Sequence, residues 1–304
     1  MPADSHRPDD PLADRRAAYA EGLAAEGDFA AAADLMRQAI DIAPGWHAGR
    51  MRLGEWLERS GERDAAASEY ETVLAAHPAD AYGAGLKLAA LGYREAPAAP
   101  PPAFVAGLFD QYAGRFEDSL VGKLGYRAPD LLLDAIRAAR PDARFAAALD
   151  LGCGTGLMGE RLRPLCTRLV GVDLSAGMLA EARRKAIYDA LHLGDIAEPI
   201  AHEPGPFDLV AAADVLTYLG DLAPVLARAS SLLAPAGLFA CTVEASAGTE
   251  SFELRPSLRY AHAPARLAER AAERGLRLLS DVRETLRRDR GEPVGGAVML
   301  FAKA

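Results

Sequence analysis

Ala148-Leu149-Asp150-Leu151-Gly152-Cys153-Gly154-Thr155-Gly156, followed by Val170-Gly171-Val172-Asp173, is the stretch on which the reading of the fold turns. Its apolar run reads as a buried strand ending in a glycine turn. A helix then leads to a second strand that ends in an acid. Glycines at such a turn let the backbone approach a nucleotide-like ligand with no Cβ in the way. Asp173, about 20 residues beyond the turn, stands where a ribose diol presents its hydroxyls. A βαβ unit of this kind binds an adenosine-containing cofactor, and the rest of the chain decides which one.

Working outward, residues 145–150 read as strand 1, 156–163 as helix, 168–173 as strand 2, 176–186 as helix and 188–193 as strand 3. Strand 4 is expected at 207–213, a helix at 221–233, strand 5 at 237–244 and a helix at 264–274. Strands 6 (276–284) and 7 (297–303) are joined by Gly291-Glu292-Pro293-Val294-Gly295-Gly296 with no helix between them, so they must pair antiparallel. Helices at 104–117 and 128–139 precede strand 1. The expectation is an α/β domain, a seven-stranded doubly wound Rossmann-like sheet with an antiparallel terminal strand.

Toward the N-terminus the pattern is helical and it repeats. Gly27 and Gly61 lie 34 residues apart, as do Ala32 and Ala66, Met36 and Tyr70, and Pro44 and Pro78. That period resembles the tetratricopeptide repeat: small residues let paired helices approach while Leu23, Leu57, Met36 and Tyr70 fill the space between them. A third unit begins at Ala81 and stops near Leu91, as a cap does. The domains expected are a disordered tail at 1–11, tetratricopeptide-like repeats at 12–94, a Pro-rich linker at 95–103 and the α/β domain at 104–304.

The 304 residues are 50% apolar, enough for one full core and a second small one. A net charge of −9 argues against nucleic acid as a partner, because phosphate contacts need clustered Lys and Arg. The arginines between Leu254 and Arg290 are interspersed with acids and read as a solvated helix face. Cys153, Cys166 and Cys241 have no paired spacing and suit a reducing compartment, so a cytoplasmic protein is expected. The first residues lack the apolar core of a signal peptide, and no apolar run is long enough for a membrane span.

Gly154-Thr155-Gly156-Leu157-Met158-Gly159 satisfies the dinucleotide fingerprint, which taken alone says little. Asp150, two residues before the first glycine, suits a ligand carrying an ammonium group and would repel a pyrophosphate. Leu174-Ser175-Ala176-Gly177-Met178 opens a helix whose Met178 is placed to cover an adenine face. Gly194-Asp195-Ile196 places a carboxylate for the adenine amino group, and the terminal strand hairpin is foreign to the dinucleotide fold. Together these residues resemble the class I S-adenosylmethionine-dependent methyltransferases across 104–304, and in particular bacterial methyltransferases with N-terminal tetratricopeptide repeats.

The resemblance implies S-adenosyl-L-methionine as cofactor and assigns roles residue by residue. Asp150, Gly152, Cys153, Gly154 and Gly156 would hold its methionine part, Asp173 the ribose hydroxyls, and Leu174, Met178, Asp195 and Ile196 the adenine. Asp214, in the loop after strand 4, would serve the ammonium end. Leu233-Ala234-Pro235-Ala236-Gly237 matches the family's L-x-P-G-G turn except that Ala236 replaces a glycine. Phe109-Asp110-Gln111-Tyr112-Ala113-Gly114-Arg115-Phe116 is similar to an aromatic helix that folds over the cofactor's methionine end, with Tyr112 donating to a carboxylate.

Methyl transfer needs alignment and exclusion of water, and a base only when the acceptor holds its proton. His262 reads as that base or as a surface histidine, and Tyr218 as a wall of the acceptor pocket or a packing residue. His192, His202, His47 and His77 carry no expected catalytic role. No Asn/Asp-Pro-Pro-Tyr run or Pro-Cys nucleophile follows strand 4, and no ligand cluster has metal spacing. O- or N-methylation of a small molecule is the first reading. A protein or carrier-bound substrate recruited through the repeats is a second, and a non-catalytic cofactor-binding interaction protein a third.

Overall fold

The computed structural model of the chain describes residues 7–117, 124–142, 144–200, 203, 205–289 and 291–304. It divides into two units, Met1–Gly107 and Leu108–Ala304. His202 and Arg290 lie outside the described residues.

Helices α1 (Pro11–Ala25), α2 (Phe29–Ile42), α3 (His47–Ser60), α4 (Arg63–Ala76) and α5 (Ala84–Ala90) build the first unit. Asp10 caps α1 by accepting from the amides of Leu12 and Ala13, and Pro11 fills the first helical position, so the helix starts inside the expected tail. Gly27 (φ +89°) and Gly61 (φ +90°) turn the chain between α1 and α2 and between α3 and α4. Those left-handed conformations suit glycine best, which explains their repeat spacing. The repeat positions Ala32, Met36, Leu57, Ala66 and Tyr70 are buried together in one core. His47 and His77 satisfy one another, Nε2 of His77 lying 3.0 Å from Nδ1 of His47. Helix α6 (Pro102–Tyr112) begins within the Pro-rich stretch, since Pro102 at its start has no amide to leave unpaired.

The second unit alternates helices and strands. Its helices are α7 (Ala128–Ala139), α8 (Leu157–Leu162), α9 (Ala176–Lys185), α10 (Ala223–Leu232) and α11 (Pro264–Ala272). Its strands are β1 (Phe145–Leu151), β2 (Cys166–Asp173), β3 (Ala190–Leu193), β4 (Phe207–Ala212), β5 (Leu233–Ala245), β6 (Phe252–Leu254), β7 (Tyr260–His262), β8 (Leu276–Asp289) and β9 (Glu292–Lys303). β3, β2, β1, β4 and β5 run parallel in that order, β9 pairs antiparallel with β5, and β8 pairs with β9. Successive strand residues face opposite sides. Leu149, Leu151, Phe239 and Cys241 therefore join one core with α10 and α11. Ala148, Leu238 and Ala240 join the other with α7 and α8.

The sheet holds nine strands where the sequence suggested seven. The additional pair, β6 and β7, is three residues each, too short to show an alternating pattern; β7 continues the sheet beside Glu244 and Ala245. β8 and β9 extend further than expected, because the Gly/Pro stretch from Glu292 pairs with β8 down to Asp289. The expectation of a solvated helix face for the arginine-rich stretch is corrected accordingly. Arg277, Arg283, Arg287 and Arg288 lie on β8, and Arg287 is 1% exposed. The chain reverses direction across the sheet between β1 and β4, so a crevice opens at the carboxyl ends of those two strands.

Candidate active site

On one side of the crevice the backbone supplies the shape. Gly152 has φ +67°, and a Cβ there would run into the side chain of Val215, so the turn can pass the loop after β4 only as glycine. At Gly154, φ +53°, a Cβ would meet nothing within 4 Å among the described residues, so this face of the turn is open. The Gly154 amide donates to Oδ2 of Asp173 at 2.8 Å, and the Ser175 amide to Oδ1 at 2.9 Å. Asp173 thereby ties the glycine turn to the start of α9. Burial raises its carboxyl above the ordinary range, with the amides of Ser175 and Gly154 opposing.

Asp110 strengthens the same corner. Its Oδ1 accepts from the Ser175 hydroxyl at 2.5 Å and from the Gly177 amide at 2.9 Å, while the Ser175 oxygen caps Met178 at 3.0 Å. Two carboxylates thus meet the positive end of α9. The sequence stretch around Phe109 pointed to this helix but assigned the polar role to Tyr112, which is 51% exposed. Asp110 is the residue that reaches the start of α9, and its pattern signal was its place in the same short motif.

Asp150 is fully buried, and its Oδ2 accepts from the Tyr188 hydroxyl at 2.6 Å. Tyr188 lies across Gly159, where any Cβ would strike its ring. Tyr188 thus engages one of the two Asp150 oxygens. The other, Oδ1, has no hydrogen-bond partner among the described residues, and burial pushes the carboxyl up to about 7, with Tyr188 pulling the other way. Cys153 and Met178 are buried, Ile196 sits in the core, and Asp195 Oδ1 accepts from the Ala197 amide at 2.9 Å. Leu174 is half-buried beside Asp173.

The other side is built from side chains. Asp214, at φ +55°, donates its amide to Oγ1 of Thr242 at 2.8 Å. Its carboxylate accepts from Nη1 of Arg287 at 2.6 and 2.7 Å. Arg287 Nη2 also donates to Oε1 of Glu244, and the Thr217 hydroxyl donates to the same oxygen at 3.2 Å. Burial works against the Arg287 charge, but Asp214 and Glu244 offset it and keep the guanidinium protonated. Asp214 thus pairs with Arg287 in this structure. The sequence reading missed Arg287 because it ended strand 6 at 284.

His262, on β7, is 2% exposed, with Nε2 3.3 Å from the Leu216 carbonyl. Burial lowers it to about 4, so it stays neutral near pH 7 and pins the loop rather than facing solvent. This overturns the surface-histidine alternative. Tyr218 stands half-buried in the crevice mouth. Its ring meets Phe109 edge-on at 5.1 Å, and its hydroxyl accepts from Nε of Arg259 at 3.3 Å. Among the described residues no group of three or more His, Cys, Asp or Glu side chains could hold a metal ion.

Comparisons with known proteins bear on the fold and the family. A family model described as "Methyltransferase domain" matches residues 149–239, and one described as "Tetratricopeptide repeat" matches 23–90. The malonyl-acyl-carrier-protein O-methyltransferase of Salmonella typhimurium is 30% identical over 177 residues, covering 57% of this chain and 67% of that protein. The trans-aconitate 2-methyltransferase of Methylobacterium nodulans is 40% identical over 139 residues, covering 44% and 52%. The chain spans about half the length of most curated relatives it matches, for example 45% of a human methyltransferase-like protein. Among solved structures, the 1,6-didemethyltoxoflavin-N1-methyltransferase of Burkholderia thailandensis superposes with a TM-score of 0.51 at 22% identity, covering 69% of this chain and 93% of that one. The chain belongs to the class I S-adenosylmethionine-dependent methyltransferases and carries tetratricopeptide repeats ahead of that domain. The cofactor of this family is S-adenosyl-L-methionine. The residues present fit it: an open glycine turn, the Asp173 carboxylate at the end of β2 and an Asp150 oxygen with no partner among the described residues.

Proposed function

We propose that the chain transfers a methyl group from S-adenosyl-L-methionine to an oxygen or nitrogen of a small-molecule acceptor by in-line displacement. The observation that carries this reading is the Asp173 bridge from the Gly154 amide to the head of α9, which sets a carboxylate beside an open glycine turn. Relatives named as O-methyltransferases support it. When bound, the cofactor supplies a methyl group on a sulfonium, a good leaving group that needs alignment more than activation.

The chain's own residues divide the work. Gly152, Gly154 and Gly156 give the backbone room, Asp173 accepts ribose hydroxyls, and Leu174, Met178, Asp195 and Ile196 border the adenine. Phe109 and Tyr218 exclude water where the methyl and acceptor meet. Arg287, Glu244 and His262 hold the loop that carries Tyr218 in one place. The three cysteines are unpaired, which supports a cytoplasmic location; no described helix is long and apolar enough to cross a membrane.

The repeats favour a second reading, a protein or carrier-bound substrate recruited through their groove, and the name of the Salmonella relative adds to it. Isothermal calorimetry with S-adenosylhomocysteine tests the core of the proposal. Asp173→Ala is expected to weaken binding by about 1–3 kcal/mol through lost charge-assisted hydrogen bonds. Unchanged affinity in the variant would sink the assignment of the ribose site.

A further inference from the structure

Among the described residues of the crevice mouth, Arg259 is a cation that internal pairing engages only loosely. In the same cluster Arg287 is divided between Asp214 and Glu244. Arg255 is spent on Glu253 at 3.3 Å and on the Ala245 carbonyl at 2.8 Å, with Glu244 at 3.9 Å. Arg259 gives only Nε to the Tyr218 hydroxyl, and its Nη1 stands 3.7 Å from Asp289, a rim carboxylate 43% exposed. Its side chain is 25% exposed, and its guanidinium lies 5.9 Å from the centre of the Tyr218 ring, which itself meets Phe109. A guanidinium fork with free N–H groups beside a hydroxyl that accepts from it, and so keeps its own proton to donate, is a built receptor for a carboxylate.

In the same region Asp289, the carboxylate beside Arg259, already faces its Nη1 at 3.7 Å. His262 is sealed against the Leu216 carbonyl, and Asp214 is clamped by Arg287. An alcohol or an ammonium acceptor would have to lose a proton; a carboxylate has none to lose at neutral pH.

We infer that the acceptor is a small carboxylic acid whose carboxylate is held by Arg259 and Tyr218 and takes the methyl as an ester. This rests on the methyltransferase reading above and names the substrate class of that site. One carboxylate oxygen binds the guanidinium while the other attacks the methyl carbon. The new O–CH3 bond forms as the CH3–S bond breaks, the electron pair passes to sulfur, and anion plus sulfonium become neutral ester plus thioether. No proton moves.

The test uses the full chain, donor labelled with tritium in its methyl group, and a small-metabolite extract as acceptor pool. Alkaline hydrolysis of the products then releases label from methyl esters as volatile methanol. The expected result is enzyme-dependent label that is mostly base-labile. Arg259→Met should lower it at least about tenfold and Arg259→Lys less, as loss of a charged, forked hydrogen bond dictates. Affinity for S-adenosylhomocysteine should be unchanged in both variants, which separates acceptor binding from folding. Base-stable label, a wild-type rate in Arg259→Met, or no transfer by a chain that binds S-adenosylhomocysteine would each overturn the inference, since the extract is rich in small carboxylates. Failure to bind S-adenosylhomocysteine at all would instead sink the methyltransferase reading.

Discussion

The two sides of the crevice are made by different means. The cofactor side is shaped by main chain: glycines open the turn, and Asp173 joins it to α9 through two amides. The side proposed for the acceptor is a lattice of side chains drawn from β5, β7, β8 and the loop after β4. Backbone sites tolerate changes in their neighbours because each amide is fixed by the fold. A buried ion-pair lattice fails as a unit, because each charge left behind is uncompensated.

The sharpest way to break that contrast is Arg287→Met. Removing one member of the buried Asp214–Arg287–Glu244 group should cost about 3–5 kcal/mol of stability. Urea unfolding measures it, and a loss below about 1 kcal/mol would show the lattice to be dispensable.

Titration offers a second comparison, because each side buries one group that changes charge near neutrality. Burial raises Asp150 to about 7, so its native form holds a proton that the unfolded chain has lost. Its contribution is present in full below the ordinary carboxyl value of 3.8 and lost as pH rises through about 7. Burial lowers His262 to about 4, so its contribution is present above 6.5 and lost as pH falls through about 4. In the cofactor-free protein, Asp150→Asn should therefore lose the acid-side gain, and His262→Gln should lose the acid-side penalty. Between pH 7 and pH 4 the stability difference from the parent should change with opposite sign in the two variants, by at most about 1.4 kcal/mol per pH unit. Equal slopes in denaturation series across that range would contradict the assignment of either group.

The smallest expected effect lies on neither side. Ala236 sits at φ +59° where the family pattern places glycine, a conformation that costs a residue with a Cβ. Ala236→Gly should raise stability by about 0.5–1 kcal/mol in a thermal scan, with cofactor affinity unaltered. A loss of stability would mean that its contact, the Arg140 guanidinium on the Ala236 carbonyl, matters more than the backbone angle.

The same contrast explains what could be read from the sequence. The glycine turn and Asp173 were legible because their residues follow one another along β1, α8 and β2, so spacing alone carries the geometry. The parallel order and the antiparallel ending followed from helices present or missing between strands. Tyr188, Arg259 and Arg287 were not legible, nor was the pairing of Asp110 with Ser175. Each acts on a partner more than 35 residues away, and no local pattern marks the pairing. The three-residue strands β6 and β7 were hidden for a related reason: they exist only because the end of β5 gives them an edge to bind.

The placement of β9 sets the order in which the domain can be finished. A ribosome makes it after all the other strands, yet it belongs between β5 and β8, and β8 joins the sheet through it alone. Until β9 emerges, the long apolar edge of β5 has no neighbour on that side and is open to wrong partners. The repeat helices pair with their sequence neighbours and can settle while synthesis continues.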